Sequence, residues 1–212
     1  MFAHALKLSA GFQNGEISRR IADAATAVCS GEIIQTQRRF DLHLGIDEYR
    51  RIVEMKTGSL FAAAGELGAL LNEMEPAVVQ SMQSYGMKIG AAYQIYDDCL
   101  DIAGDESIIG KTLGTDLRKG KLTLPVLMLL RTAPAKERER YSRMIVDGQV
   151  DEMTELLKTV VTGAPLSESI NAGQELIREA QGELAVLAPG SHADSMMQLG
   201  DALRELLEQL RD

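Results

Sequence analysis

Asp97-Asp98-Cys99-Leu100-Asp101 stands near the end of a long segment that is otherwise largely apolar. At about 100° per residue, a helix through it places Gln94, Asp97, Asp98 and Asp101 within an arc of roughly 100°. Ala92, Ile95, Tyr96, Cys99, Leu100 and Ile102 occupy the rest of the circumference. Such a helix must be packed on most of its sides. Its one polar stripe must face a cavity or solvent, because ionised carboxylates are not buried together without partners. The chain therefore has to fold as several helices around this one, with an opening along the stripe. Shortly after Asp101 comes a loop rich in glycine and lysine, Gly110-Lys111-Thr112-Leu113-Gly114-Thr115-Asp116-Leu117-Arg118-Lys119-Gly120-Lys121. Carboxylates facing lysines suit a metal-bridged polyanion, above all a diphosphate.

The remaining periodicity is also helical. Residues 16–39 place Ala22, Ala25, Val28, Cys29, Ile33 and Ile34 on one side. Asp47 reads as the N-cap of a segment running to about residue 72. Glu75-Pro76 opens the helix of the aspartate stripe, since proline is tolerated in a first turn, and that helix ends near Gly104. Helices are expected over 122–131, 135–147, 149–162, 167–188 and 191–210, with Gly163-Ala164-Pro165 and Ala188-Pro189-Gly190 as joints. No strand alternation, internal repeat or low-complexity stretch interrupts this pattern. The expected architecture is all-α, one helical domain over residues 1–212.

Charge narrows the partners. With 22 basic and 31 acidic residues the net charge is −9, which argues against nucleic acid or an anionic membrane as the main partner. It also makes Lys111, Arg118, Lys119 and Lys121 a local basic exception. No apolar run reaches the ~20 residues that span a bilayer. No basic segment followed by an apolar one marks a signal peptide, so a cytoplasmic location is expected. Cys29 and Cys99 read as free thiols of a reduced protein, and His4, His43 and His192 are too scattered for a metal motif.

Each feature has a plainer reading beside the functional one. Aspartates at i, i+1 and i+4 can hold magnesium through a few oxygens, or form a solvated acidic face. Gly104 to Thr112 resembles a phosphate-binding P-loop, but it has five residues between its glycines instead of four and follows a helix, so a P-loop NTPase is rejected. The loop lysines either grip a phosphate or are merely solvated. Lys56, before Thr57 in an apolar stretch, either serves a site or snorkels. The runs Ala62-Ala63-Ala64-Gly65 and Gly90-Ala91-Ala92 allow close helix packing, or leave room for a long apolar ligand. The ten methionines divide in the same way between core filling and ligand contact.

Taken together, these residues resemble the trans-type isoprenyl (polyprenyl) diphosphate synthases. The matching stretches are Gly31-Glu32-Ile33-Ile34-Gln35, Lys56-Thr57, Ala92 to Asp101, Gly110-Lys111, Gly114-Thr115-Asp116 and Gly120-Lys121-Leu122-Thr123-Leu124-Pro125. Their order and spacing follow the family over nearly the whole chain, and the aspartate run looks like its second aspartate-rich motif. The resemblance implies an isoprenoid synthase-type helical bundle, incomplete at its N-terminal side, comprising about the C-terminal two-thirds of such a fold. It implies a Mg2+-dependent prenyltransferase that condenses an allylic diphosphate with isopentenyl diphosphate. Asp97 would be the direct Mg2+ ligand, with Asp98 and Asp101 acting largely through water. Lys56, Thr57, Gln94, Lys111 and Lys121 would contact the allylic diphosphate or its metals.

The family's first DDxxD motif has no counterpart here, since it precedes the segment that Met1 to Leu6 resembles. The chain is accordingly expected to be part of a synthase or a partner-dependent subunit, as a homodimer or a heteromer with another synthase subunit, with little or no activity by itself. Two alternatives remain: an inactive helical subunit that regulates a full-length synthase, and a class I terpene cyclase, against which the lysine loop argues.

Overall fold

A computed structural model describes residues 2–106, 110, 112–147 and 150–211 of the chain. Helix α1 (Phe2–Ser9) was not expected from the sequence. Helix α2 (Gly15–Gln37) starts where Asn14 accepts the Glu16 N–H at 3.0 Å, a side-chain cap, and Glu16 in the first turn then binds Arg20 at 2.6 Å. Helix α3 (Ile46–Val53) is capped by Gly45. Asp47, expected as the cap, lies instead in the first turn, where its charge suits the helix dipole. The chain passes without a break through a π-helical stretch, Glu54–Gly58, into α4 (Ser59–Leu71). The single segment expected from Asp47 to residue 72 is therefore continuous, but it contains a widened turn at Lys56-Thr57.

Helix α5 (Pro76–Ala103) carries Pro76 in its first turn and the aspartates in its last two. A short α6 (Thr115–Arg118) follows within the expected loop. Helix α7 (Leu124–Thr132) is buried along Leu124 to Leu130, as a helix apolar on all sides must be. Helices α8 (Ala135–Asp147), α9 (Val150–Thr162), α10 (Ala164–Glu183) and α11 (Ser191–Glu208) complete the described chain with two short 3₁₀ turns, Leu184–Val186 and Gln209–Arg211. Helix α10 begins three residues earlier than expected because Pro165 fits its first turn. The described residues contain no strand.

Helix α5 is the axis of the packing, with α4 along one side and α10 along another, and α7 and α11 also touching it. One connected core runs from Leu44 to Leu207 and includes Ile89, Ala92, Ile95, Cys99, Val126, Ile170 and Ile177. The α4–α5 contact is unusually close. A Cβ on Gly86 would lie 2.2 Å from the Phe61 carbonyl oxygen, and one on Gly65 would lie 2.2 Å from that of Met82. The small residues thus serve backbone approach along this seam, and no ligand fits between the two helices there. Along α10, Glu183 accepts from Lys88 at 2.7 Å and from Ser84 at 2.8 Å. Those two bonds, that of Lys88 first, hold the Glu183 carboxyl below its usual 4.5.

Two outcomes are expected. Gly86→Ala should destabilise the fold by about 1–3 kcal/mol, the usual range for overpacking. Gly68→Ala, whose Cβ meets nothing within 4 Å, should stabilise α4 by about 0.5–1 kcal/mol. Urea melts of both variants check this. A depressed carboxyl stabilises the fold above its unfolded pKa and loses that contribution as pH falls through the folded one. The stability difference between wild type and Glu183→Gln should therefore shrink between about pH 5 and about pH 3 in paired urea melts.

Candidate functional site

The π-helical stretch widens the helix at Lys56 and Thr57 and turns both toward α2 and α5. Lys56 Nζ donates to Gln35 Oε1 at 3.1 Å and pairs with Glu32 Oε1 at 3.1 Å. A Cβ on Gly31 would lie 2.9 Å from the Lys56 backbone nitrogen, so α2 needs its glycine where this widened turn passes. Thr57 Oγ1 donates to Gln94 Oε1 at 2.7 Å. Gln94 Nε2 donates to Asp98 Oδ1 at 3.0 Å and reaches toward Asp97 Oδ2 at 3.4 Å. Glu32 and Gln35 belong to the matching stretch Gly31–Gln35, but nothing in the sequence signals that they receive Lys56.

The three aspartates of the stripe have separate surroundings. Asp97 is half-buried. Asp98 is only 4% exposed, and its Oδ2 accepts from the Tyr49 hydroxyl at 2.5 Å. Burial pushes the Asp98 carboxyl up to about 7, although the bonds from Tyr49 and Gln94 oppose the rise. Burial also raises the Tyr49 hydroxyl well above its usual value, and the adjacent Asp98 adds to this. Asp101 is 3% exposed, and its Oδ2 accepts the Asp116 N–H at 3.0 Å. The three aspartates share one arc of α5, but Asp98 and Asp101 are buried and Asp97 is the one of the three that solvent reaches. Tyr49 was missed altogether, for it lies 49 positions before Asp98.

Asp101 anchors the following loop. Its carbonyl accepts the Gly114 N–H at 2.6 Å, and its side chain holds α6 at Asp116. Gly114 has φ +68°, and a Cβ there would lie 2.3 Å from a methyl of Leu157. Gly120 has φ +77° beneath the Phe40 ring, and its carbonyl accepts the Phe40 N–H at 2.8 Å. Both turns therefore require glycine. Lys121 Nζ pairs with Asp116 Oδ1 at 3.2 Å. The Arg118 guanidinium bonds the Leu113 carbonyl, so this cation holds the loop together. Lys111, a candidate diphosphate contact, lies outside the described residues.

A row of rings borders this polar run. Phe61 and Tyr93 have centroids 6.0 Å apart, and Tyr93 and Tyr96 6.3 Å apart. Phe61 and Tyr93 are exposed. Their positions carried a signal, since Tyr93 lies one turn before Asp97 on α5 and Phe61 one turn after Thr57.

Among the described residues no group of three or more His, Cys, Asp or Glu side chains is arranged to hold a metal. Magnesium needs only one or two protein carboxylates when phosphate and water supply the rest. One accessible carboxylate with cations on neighbouring elements fits a cation shared with a phosphate, not one caged by protein.

The sequence matches the polyprenyl synthetase family over residues 1–161. The chain belongs to that family. It is 35% identical over 182 residues to the chloroplastic solanesyl diphosphate synthase 1 of Arabidopsis thaliana, covering 84% of this chain and 42% of that one. The decaprenyl diphosphate synthase of Rhodobacter capsulatus superposes with a TM-score of 0.86 at 30% identity, covering 100% of this chain and 65% of that one. A polyprenyl synthase from Caulobacter crescentus, complexed with calcium and isoprenyl diphosphate, superposes with a TM-score of 0.90 at 28% identity, covering 96% and 63%. The chain spans about half the length of the curated relatives it matches. The all-α synthase fold inferred from the motifs is therefore correct.

Asp101→Ala should release α6 from α5. The expected loss is about 1.5–3 kcal/mol, typical of hydrogen bonds to a charged group. Hydrogen exchange should become faster at the Asp116 amide while the α7 amides stay protected, which native-state exchange measurements can resolve.

Proposed function

We propose that the chain carries the allylic-diphosphate side of a trans-prenyltransferase site that condenses an allylic diphosphate with isopentenyl diphosphate. The observation that carries this reading is the unbroken polar run Thr57–Gln94–Asp98, with Asp97 open at its edge. Lys56, in the π-helical stretch, and Lys121, between α6 and α7, each have their charge already balanced by a carboxylate. The Caulobacter relative, crystallised with calcium and isoprenyl diphosphate, binds ligands of the same chemistry.

In this reading Asp97 is the direct Mg2+ ligand. Bound there, Mg2+ supplies Lewis-acid neutralisation of the departing diphosphate. Lys56, Lys111 and Lys121 bring cationic charge to the same oxygens, and Thr57 and Gln94 orient them. The allylic carbon–oxygen bond breaks and its electron pair leaves with the diphosphate. The double bond of isopentenyl diphosphate attacks the resulting cation, and a proton is then lost. Asp98 and Asp101 support the site from within the protein.

The facing carboxylates come, in this reading, from the rest of a longer synthase or from another synthase subunit. The exposed ring row at Phe61 and Tyr93 supports a covering partner, since bare apolar patches mark interaction sites. We take the chain as one helical domain acting in the cytoplasm. No described helix is long and apolar enough to cross a membrane.

The test is a thermal melt with magnesium and inorganic diphosphate. By mass action the gain should be about 2.7 kcal/mol at a hundredfold excess over the dissociation constant. Asp97→Ala should abolish the shift, while Glu137→Ala on α8 should retain it. Equal shifts in the two variants would reduce the stripe to a solvated face. Prenyl transfer with an allylic diphosphate, isopentenyl diphosphate and Mg2+ should appear when a polypeptide bearing the first aspartate motif is supplied.

A further inference from the structure

We propose that Tyr49 and Asp98 are positioning residues for diphosphate binding, acting through the side-chain amide of Gln94 and not as metal ligands. The proposal rests on the diphosphate reading of the site given above.

Asp98 has no room for a hydrated cation. It is 4% exposed, and each of its oxygens already accepts a hydrogen bond, Oδ2 from Tyr49 and Oδ1 from Gln94. Magnesium keeps several waters when it binds carboxylates. A carboxylate enclosed by a tyrosine ring and an amide cannot supply that space, whereas half-buried Asp97 can.

What Asp98 does instead follows from donor and acceptor chemistry. The carboxylate oxygens that face Gln94 act as acceptors. Gln94 faces two of them, at 3.0 Å for Asp98 and 3.4 Å for Asp97, so its NH2 must point to that side. Its carbonyl must then face Thr57, whose hydroxyl donates to it at 2.7 Å. The reverse orientation would set the amide oxygen against two carboxylates. The weaker of the two contacts is the one to Asp97. When Asp97 turns to a cation, that contact is given up, and Asp98 is the carboxylate that still holds the Gln94 NH2, opposite Thr57.

Tyr49 keeps Asp98 in place to do this. It is 3% exposed on α3, between core residues that fix the helix, and its hydroxyl is 2.5 Å from Asp98. The order of dependence is therefore Tyr49, Asp98, Gln94, Thr57. It links α3 to the π-helical stretch through α5, and each step in it is a hydrogen bond within the protein.

The experiment is calorimetric titration of the 212-residue chain with inorganic diphosphate in excess Mg2+. Tyr49→Phe, which removes one hydroxyl and keeps the ring, should weaken binding about tenfold, as loss of a hydrogen bond to a charged group does. Asp98→Asn should weaken it to a similar degree, and Asp97→Asn should abolish it. The double variant Tyr49→Phe/Gln94→Ala should bind no more weakly than Gln94→Ala alone, because residues acting in series are not additive. Ile170→Val, a core change on α10, should bind like wild type and so separate positioning from general destabilisation.

If Asp97→Asn abolishes binding and Tyr49→Phe leaves it unchanged, the inference is overturned and the site reading stands. Binding unaffected by Asp97→Asn overturns both. Loss by Asp98→Asn as complete as that by Asp97→Asn would make Asp98 a ligand and also sink the proposal. A second readout needs no ligand. The Gln94 side-chain amide resonance should shift and exchange faster in Tyr49→Phe and in Asp98→Asn. A resonance unmoved in both variants refutes the proposal even where binding is weak or one variant folds poorly.

Discussion

Everything at the site depends on how closely α4 and α5 approach. At Gly65 and Gly86 the backbone of one helix occupies the space that a side chain on the other would need. Dispersion between two backbones at that distance is gained along the whole seam and lost steeply with a small separation. The close seam also sets the register. It brings Thr57, in the π-helical stretch that leads into α4, to within 2.7 Å of Gln94, in the C-terminal half of α5. A wider seam would break that bond first, and the orientation of the Gln94 amide with it.

The second constraint is electrostatic. Three aspartates within five residues repel one another, and a bound cation is one remedy. This protein relieves two of them by other means. Asp98 receives a hydroxyl and an amide, and Asp101 receives the backbone N–H of Asp116. Neither arrangement is free of cost, as the raised Asp98 carboxyl indicates. The outcome is one accessible carboxylate beside a rigid polar run, which suits a cation that a phosphate helps to hold. Stability and function therefore draw on the same motif, and a substitution in it can injure either.

The relation to longer synthases follows the same geometry. The chain covers about half the length of the curated relatives it matches, and its polar run ends beside exposed rings. An edge of this kind, polar at Asp97 and apolar at Phe61 and Tyr93, suits a facing element that brings both carboxylates and apolar cover. Solvent alone would satisfy the first need but not the second.

Much of this was legible in the amino-acid order. Helical periodicity, Pro76 in a first turn and the joints at Gly163 and Gly190 located most helices, and the motifs from Lys56 to Pro125 identified the family. These signals are local, because the α-helix relates only residues three or four apart. Periodicity likewise determined which side of α5 is polar. It could not determine how deep each aspartate lies, that Lys56-Thr57 sits in a π-helical turn, or that Glu32 and Gln35 receive Lys56. Nor could it find Tyr49 for Asp98. Those facts join residues far apart in the chain, and only the packing of one helix on another decides them. The order of residues by itself determined most of the helices, the polar face of α5 and the family. The tertiary structure alone decided that Asp98 and Asp101 are satisfied within the protein and Asp97 is left accessible, because burial and partnership arise only when separate helices are brought together.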